Sequence, residues 1–395
     1  MVIVGASAAG LTTAEALRNK GYDGALTLIG DEPHLPYDRP PLSKRILSGA
    51  WEPEKVRLRD HQAIGRLDAD FRLGRTAVAL DAPGRKVLLN DGAQVAFDAL
   101  VIATGVTPRR LPGDGLAGVH VLRTLDDALT LRTHLLARPK VVVVGAGFLG
   151  AEVAAVARIM GLDVTLVDPL PVPMRRQFGD PIGRLVGQTH SDHGATLRLG
   201  VGVARFLQSA GRVAAVELAD GTKLDADVVV VGVGSTPATS WLADSGLPLG
   251  NGVECDAQCQ AAPGMYAAGD VASWYNPHFG VRMRVEHRLN ATEQGAAVAA
   301  NILGEQRPFA LVPYFWSDQY DARIQAHGIF PEHADVTVVH GSLNDRKFVA
   351  AYGHEGKVVG VLGWNSHREL RTLRQLVVDH APCPSARTTE GSQQP

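Results

Sequence analysis

A hydrophobic run that breaks into a turn of small residues, and then into an apolar helix pattern, occurs twice in this chain. No other feature narrows its fold so far. The later copy, residues 141–152 (VVVVGAGFLGAE), places Gly145, Gly147 and Gly150 at the spacing of a dinucleotide cradle. Gly145 permits the sharp turn out of the strand, Gly147 lets backbone approach a pyrophosphate, and Gly150 lets the helix press against the strand. Phe148 and Leu149 belong to the same cradle, which opens an apolar helix expected at 153–160. The next strand, expected at 163–167, ends on Asp168, near the separation of about 20 residues at which an acid meets a ribose hydroxyl. A carboxylate there repels a 2′-phosphate, which predicts NADH over NADPH, although Arg175 and Arg176 follow soon after and weigh against it.

The earlier copy, residues 1–10 (MVIVGASAAG), has Gly5 and Gly10 in place, with Ala8 and Ala9 between them and Ser7 where a second glycine usually stands. A single such turn is weak evidence, because glycine-rich strand ends also serve as plain structural turns. Two of them about 140 residues apart predict two dinucleotide-binding domains. The strand expected at 25–29 ends on Gly30-Asp31-Glu32 and offers Asp31 to a ribose hydroxyl. Residues 99–105 (ALVIATG) read as a buried parallel strand closing on Ala103, Thr104 and Gly105, small enough for a dinucleotide to approach their backbone.

At 395 residues, 45% of them hydrophobic, the chain can bury two or three substantial cores. A net charge of −2 gives no general pull towards nucleic acid. No apolar run reaches membrane-spanning length and no basic segment precedes a short apolar one, so a soluble, cytoplasmic protein without a membrane partner is expected. Cys255, Cys259 and Cys383 match no redox, zinc or iron–sulfur spacing, and they read as reduced structural thiols with no metal site. No cysteine precedes Cys255, which removes the pair that a flavin disulfide reductase needs near its first nucleotide site.

Residues 37–44 (YDRPPLSK) form a proline-stiffened loop that holds Arg39 and Lys44. Together with the opening cradle and Gly30-Asp31-Glu32, this loop resembles the FAD-dependent ferredoxin reductases of oxygenase and cytochrome P450 electron-transfer systems, and the resemblance runs through almost the whole chain. It implies an α/β protein of glutathione-reductase-like fold: two Rossmann-like dinucleotide-binding domains and a C-terminal α+β domain. FAD would occupy residues 1–112 and 245–312, NAD(H) residues 113–244, and an interface domain residues 313–381. A polar tail over 382–395 reads as disordered.

The resemblance also implies site residues. Lys44 would lie beside the isoalloxazine ring, the Val78 backbone would touch the adenine, and Arg39 and Arg123 would bind FAD. In residues 264–273 (GMYAAGDVAS), Asp270 would accept a ribityl hydroxyl and Val271 would offer its amide to phosphate, so that the chain has returned to the FAD domain. Arg288 takes a place that often holds Trp, with backbone making the contact. Glu152 would face flavin and nicotinamide, bracketing the rings with Lys44, and Gly232 and Gly234 would line the nicotinamide side. Trp316 would stack at the flavin edge facing the electron acceptor. Taken without the family, Lys44 and Arg123 read as solvated cations, Glu152 as an acid favoured by a helix N-terminus, and Trp316 as a core residue.

The implied activity is a ferredoxin reductase that passes a hydride from NADH to FAD and then single electrons to an iron–sulfur ferredoxin, bound transiently by charge, that serves a P450 or ring-hydroxylating oxygenase. Arg282, Arg284, Arg346, Lys347 and Arg368 are candidates for the docking patch. A monomer or weak dimer is expected. Two alternatives share both cradles: an NADH oxidase or rubredoxin-reductase-like flavoenzyme, and an NADH-sensing flavoprotein resembling apoptosis-inducing factor.

Overall fold

The computed structural model describes residues 1–384, so the tail expected over 382–395 lies, from residue 385 on, outside the described residues. The described residues form two compact units, one from Met1–Arg138 with Val230–Leu311, the other from Pro139–Val229 with residues 312–384.

In the first unit Val2–Val4 lies at the centre of a sheet. The strand order is Gln260–Ala262, Met265–Ala267, Leu100–Ile102, Val2–Val4, Thr27–Gly30, Asp70–Leu73, and all neighbours are parallel except the first pair. Ile3 pairs with Leu28 on one side and Val101 on the other, all three fully buried, as the unbroken apolar character of a two-sided parallel strand requires. Helix Ala8–Asn19 packs on helix Arg288–Ile302 through small residues. A Cβ on Gly295 would strike the carbonyl of Ala9, and the Thr13 hydroxyl reaches the carbonyls of both Ala9 and Gly295, at 2.9 and 3.2 Å. A three-stranded meander, Ala77–Asp81, Lys86–Leu89 and Gln94–Ala96, turns at Asp91-Gly92, where the Asp91 carboxylate accepts from the Ala93 amide.

Helix Leu125–Leu136 opens with a reciprocal cap, Thr124 and Asp127 each accepting the other's amide hydrogen. It packs against the short helix Leu42–Ile46, which is why residues 113–138, grouped with the second nucleotide site in the sequence reading, gather into the first unit. Cys255 and Cys259 are buried free thiols. Burial pushes the Cys259 thiol up to about 12, out of the range of redox chemistry.

In the second unit the strands Thr196–Leu199, Asp163–Asp168 and Lys140–Val144 run in that order and are parallel. Val141, Val142, Val143 and Val144 are all buried, each contributing roughly 2 kcal/mol relative to exposure. The C-terminal part is an antiparallel sheet in the order Tyr314–Gln319, Ala322–Gly328, Lys357–Trp364, Lys347–His354, Asp335–Ser342, with helix His367–Val378 packed on Lys357–Trp364. Helix Arg175–Asp192 supplies Phe178, Ile182 and Val186 to a core shared with Phe315, Ile324 and Tyr352 of this sheet. Among the described residues no helix is long and apolar enough to cross a membrane.

Candidate functional site: two dinucleotide cradles

The first cradle is built by backbone that only glycine can supply. Gly5 has φ +116° and donates its amide to the Ile29 carbonyl at 2.7 Å, and a Cβ here would collide with the Ala103 carbonyl. A Cβ on Gly10 would fall on the Gly5 carbonyl. Ser7 needs no such freedom: it is the N-cap of helix Ala8–Asn19 with φ −116°, an extended conformation open to any residue. Ala8 and Ala9 are buried in the helix's first turn. Gly269, with φ +78°, packs on Ala9, a Cβ there lying 3.1 Å from the Ala9 Cβ. Its amide donates to Gln294 Oε1 at 2.8 Å, so the Gly269–Val271 turn is fixed against the opening cradle.

Charged side chains gather around this turn. Arg39 donates to Glu32 Oε1 at 2.6 Å, to the Tyr37 hydroxyl at 3.1 Å and to the Arg123 carbonyl at 2.7 Å, while Tyr37 bonds Glu32 and accepts from the Leu125 amide. Arg123 meets Asp270 at 3.4 Å. Burial and the repulsion of Arg39 hold the Arg123 pKa below its ordinary value, and Asp270 and Glu286 only partly offset them. Burial likewise raises Asp270. Arg123 is therefore a cation short of counter-charge beside a helix N-terminus and a glycine turn, an arrangement that fits the pyrophosphate of a dinucleotide.

The remaining first-unit positions are arranged as follows. Asp31 is exposed at the strand end, whereas its neighbour Glu32 carries the contacts to Arg39 and Tyr37. Lys44 sits in helix Leu42–Ile46 with Nζ donating to the Pro40 carbonyl at 3.1 Å. Val78 lies at a bulge between Ala77 and Ala79, which takes it out of the ladder to Lys86–Leu89. Thr104 donates to the Ala238 carbonyl at 2.8 Å, and Gly105, with φ +69°, leaves room for the Arg123 guanidinium. Ala103 and Val271 are buried. Arg288 bonds Asp38 and the Thr292 hydroxyl. Gly232 and Gly234, expected on the nicotinamide side, fall in the first unit, where the Gly234 carbonyl accepts from the Arg109 amide at 2.9 Å.

The second cradle repeats the first. Gly145 has φ +100° and donates to the Val167 carbonyl at 2.8 Å, and a Cβ on Gly150 would fall on the Gly145 carbonyl. Gly147 caps helix Phe148–Ile159, as Ser7 caps its counterpart. A Cβ on Gly147 would meet nothing nearer than Gln177 Nε2 at 3.8 Å. The middle position of the turn is thus free of intrachain demand, which explains why serine stands there in the first copy. Leu149 follows in the first turn of that helix, and Phe148 packs edge-on against Phe315 at 4.8 Å. Asp168 accepts from the Ala146 amide at 2.7 Å and the Leu170 amide at 2.8 Å, tying the strand end to the glycine turn.

Glu152 is buried on the same helix and accepts from the Ser317 hydroxyl at 2.8 Å. Ser317 lies on Tyr314–Gln319, whose buried face carries Phe315, Ser317 and Gln319 and whose other face carries Tyr314 and Trp316, their rings stacked 6.0 Å apart. Glu32, Tyr37, Gln294, Ser317 and Gln319 are absent from the sequence-derived set. Glu32 and Tyr37 stand inside motifs that the sequence does mark, and Ser317 and Gln319 are polar residues at the same parity as Phe315.

Both cradles, one beside an under-compensated arginine, define a protein that handles two dinucleotides without a redox cysteine pair. Residues 1–295 match the family model for pyridine nucleotide-disulphide oxidoreductases, and residues 314–394 the reductase C-terminal domain. The chain is 36% identical to rhodocoxin reductase of Rhodococcus erythropolis over 97% of its own length and 90% of the relative's. It is also 36% identical to the ferredoxin–NAD(+) reductase component of the anthranilate 1,2-dioxygenase system of Burkholderia cepacia, over 95% and 93%. The crystal structure of the covalent putidaredoxin reductase–putidaredoxin complex superposes with TM-score 0.92 at 33% identity, covering 96% of this chain and 93% of that one. The chain belongs to the pyridine nucleotide-disulphide oxidoreductase family, and within it to the ferredoxin reductases that carry this C-terminal domain. The cofactors of this family are FAD and NAD(P)H.

Proposed function

We propose that this chain is an FAD-dependent ferredoxin–NAD(+) reductase that takes its reducing equivalents from NADH and delivers electrons singly to an iron–sulfur ferredoxin serving a P450 or ring-hydroxylating oxygenase. The observation that carries this reading is the Arg123–Asp270 pair at the first cradle, in a chain with a complete second cradle. The relatives add the acceptor, since the named ones are reductases of ferredoxins.

FAD, when bound, supplies the conversion of a two-electron donor into a one-electron donor. The chain's own residues do the rest. Gly5, Gly10 and the first turn of helix Ala8–Asn19 cradle the pyrophosphate, Arg39 and Arg123 neutralise it, and Asp270 takes a ribityl hydroxyl. Gly145, Gly147 and Gly150 cradle the nicotinamide dinucleotide, with Asp168 selecting against a 2′-phosphate. Lys44 and Glu152 are assigned to the reacting rings, and Trp316 to the face turned to the acceptor.

The test is anaerobic titration with NADH followed at the flavin bands, then cytochrome c reduction with and without added ferredoxins. Strong ferredoxin dependence is expected. Rapid oxygen consumption with no ferredoxin dependence would instead make the chain an oxidase, and slow reduction to a persistent charge-transfer complex would make it a sensor.

A further inference from the structure

Strand Tyr314–Gln319 turns two polar side chains inward, where apolar ones would cost less. Ser317 is 0% and Gln319 1% exposed, and buried polar groups are tolerated only when bonded. Their bonds form one continuous series within the second unit. Glu152 Oε1 lies 2.8 Å from Ser317 Oγ, which lies 3.2 Å from Gln319 Nε2. Gln319 Oε1 is 3.1 Å from His190 Nε2, and His190 Nδ1 is 3.1 Å from the Tyr320 hydroxyl. His190 is itself fully buried, on helix Arg175–Asp192. Tyr320 ends the series at the hairpin after the strand, held at φ +53°, a conformation unfavourable for tyrosine, with its ring stacked on His193 at 3.8 Å.

The donors and acceptors determine a direction. As a carboxylate, Glu152 can only accept, so Ser317 gives it its hydroxyl hydrogen and receives one from the Gln319 amide. Gln319 then presents its oxygen to His190, which must carry its hydrogen on Nε2 and accept the Tyr320 hydroxyl hydrogen at Nδ1. Burial pushes the His190 pKa down to about 4, so the ring is neutral at working pH and has one hydrogen to place. The orientation of the Gln319 amide thus sets both the hydrogen that Ser317 receives and the His190 tautomer.

We propose that Ser317, Gln319, His190 and Tyr320 are positioning residues that fix the Glu152 side chain through the Ser317 hydroxyl, with the His190 tautomer set by the same series. This rests on the assignment of Glu152 to the nicotinamide face, where a fixed carboxylate favours the cationic ring that hydride departure leaves behind.

Two measurements test it on the FAD-loaded protein. Nitrogen-15 NMR of labelled histidine, with His190 assigned as the resonance lost in His190→Asn, shows hydrogen on Nε2 and a bare Nδ1. A hydrogen on Nδ1 overturns the proposal. In rapid mixing with NADH, Ser317→Ala slows flavin reduction about tenfold, the loss expected for one hydrogen bond to a charged group, while the NADH dissociation constant stays within about twofold. Tyr320→Phe acts in the same direction but less. A lowered Tm with unchanged reduction rates in both variants overturns the positioning role. If Glu152→Gln also reduces at the wild-type rate, it is the placement of Glu152 that fails, and the tautomer then judges the hydrogen-bond series alone.

Discussion

The carboxylate of Asp168 accepts the amide hydrogen of Ala146 at 2.7 Å, so the acid that ends one strand of the second sheet also fixes the turn between Gly145 and Gly147. The same oxygens retain lone pairs for a ribose hydroxyl. With Asp168 at the ribose, as proposed above, Asp168→Ala removes a repulsion of the 2′-phosphate and a ribose contact together. The ratio of kcat/KM for NADH over NADPH should fall by roughly tenfold, as loss of a hydrogen bond to a charged group implies. An unchanged ratio would return coenzyme choice to Arg175, which pairs with Asp180 at 2.6 Å, or to exposed Arg176.

Gly10 and Ser7 make opposite predictions from one turn. A Cβ at Gly10 lands on the Gly5 carbonyl, backbone that cannot move aside, so Gly10→Ala should destabilise the unit by about 1–3 kcal/mol or more and yield protein without FAD. Ser7 makes no side-chain cap bond, so Ser7→Gly should retain full FAD and change stability by less than about 0.5 kcal/mol. Flavin content and thermal melts of the two variants check both. A stable, flavin-loaded Gly10→Ala would remove the close helix–strand approach from the account.

These glycines were legible because their constraint is local: a turn, a positive φ or a close approach reads directly from residue type and spacing. The same holds for the buried valines of Lys140–Val144. Gln294, which fixes the Gly269 amide, and Gln319, which joins Ser317 to His190, were not legible, because each is defined by a partner far along the chain. Arg282 and Arg284 show the converse. They read as surface charges, yet Arg282 donates to the Cys255 and Ser273 carbonyls, and Arg284 to the Asp270 carbonyl. Composition reports the charge and says nothing of the carbonyls that fold around it.

Acid should weaken the fold over a definite window. Burial is the leading cause that pushes His190, His287 and His327 each down to about 4, from 6.5. The unfolded chain takes up these protons as pH falls through 6.5, and the folded chain only near 4, so stability is full above the first value and drains between the two. For fully buried His190 the loss approaches roughly 3 kcal/mol. His327 offers a clean test, because its Nδ1 is buried without a hydrogen-bond partner and its ring lies 4.7 Å from that of Tyr314. His327→Phe should flatten the dependence of Tm on pH between 6.5 and 4.5, and an unchanged slope would refute the linkage.

Docking of an acidic ferredoxin should centre on helix His367–Val378 rather than on all five cations of the sequence reading. Arg282 and Arg284 are held by backbone, Arg346 is paired with Asp192, and Lys347 is exposed at the start of strand Lys347–His354 without a second cation one turn away. Arg368 and Arg371 remain exposed one turn apart on this helix, where spacing of three residues puts both on one face. Their charge can steer an encounter without adding much to a stable contact. Arg368→Glu with Arg371→Glu should lower ferredoxin kcat/KM by about tenfold at low salt, and the deficit should shrink above about 0.15 M ionic strength, where the Debye length is near 8 Å. NADH-dependent ferricyanide reduction, which needs no protein partner, should stay at the wild-type rate. Equal losses with ferricyanide would mean that the substitutions damage the C-terminal sheet on which the helix packs, and an unaffected ferredoxin rate would move the docking face elsewhere.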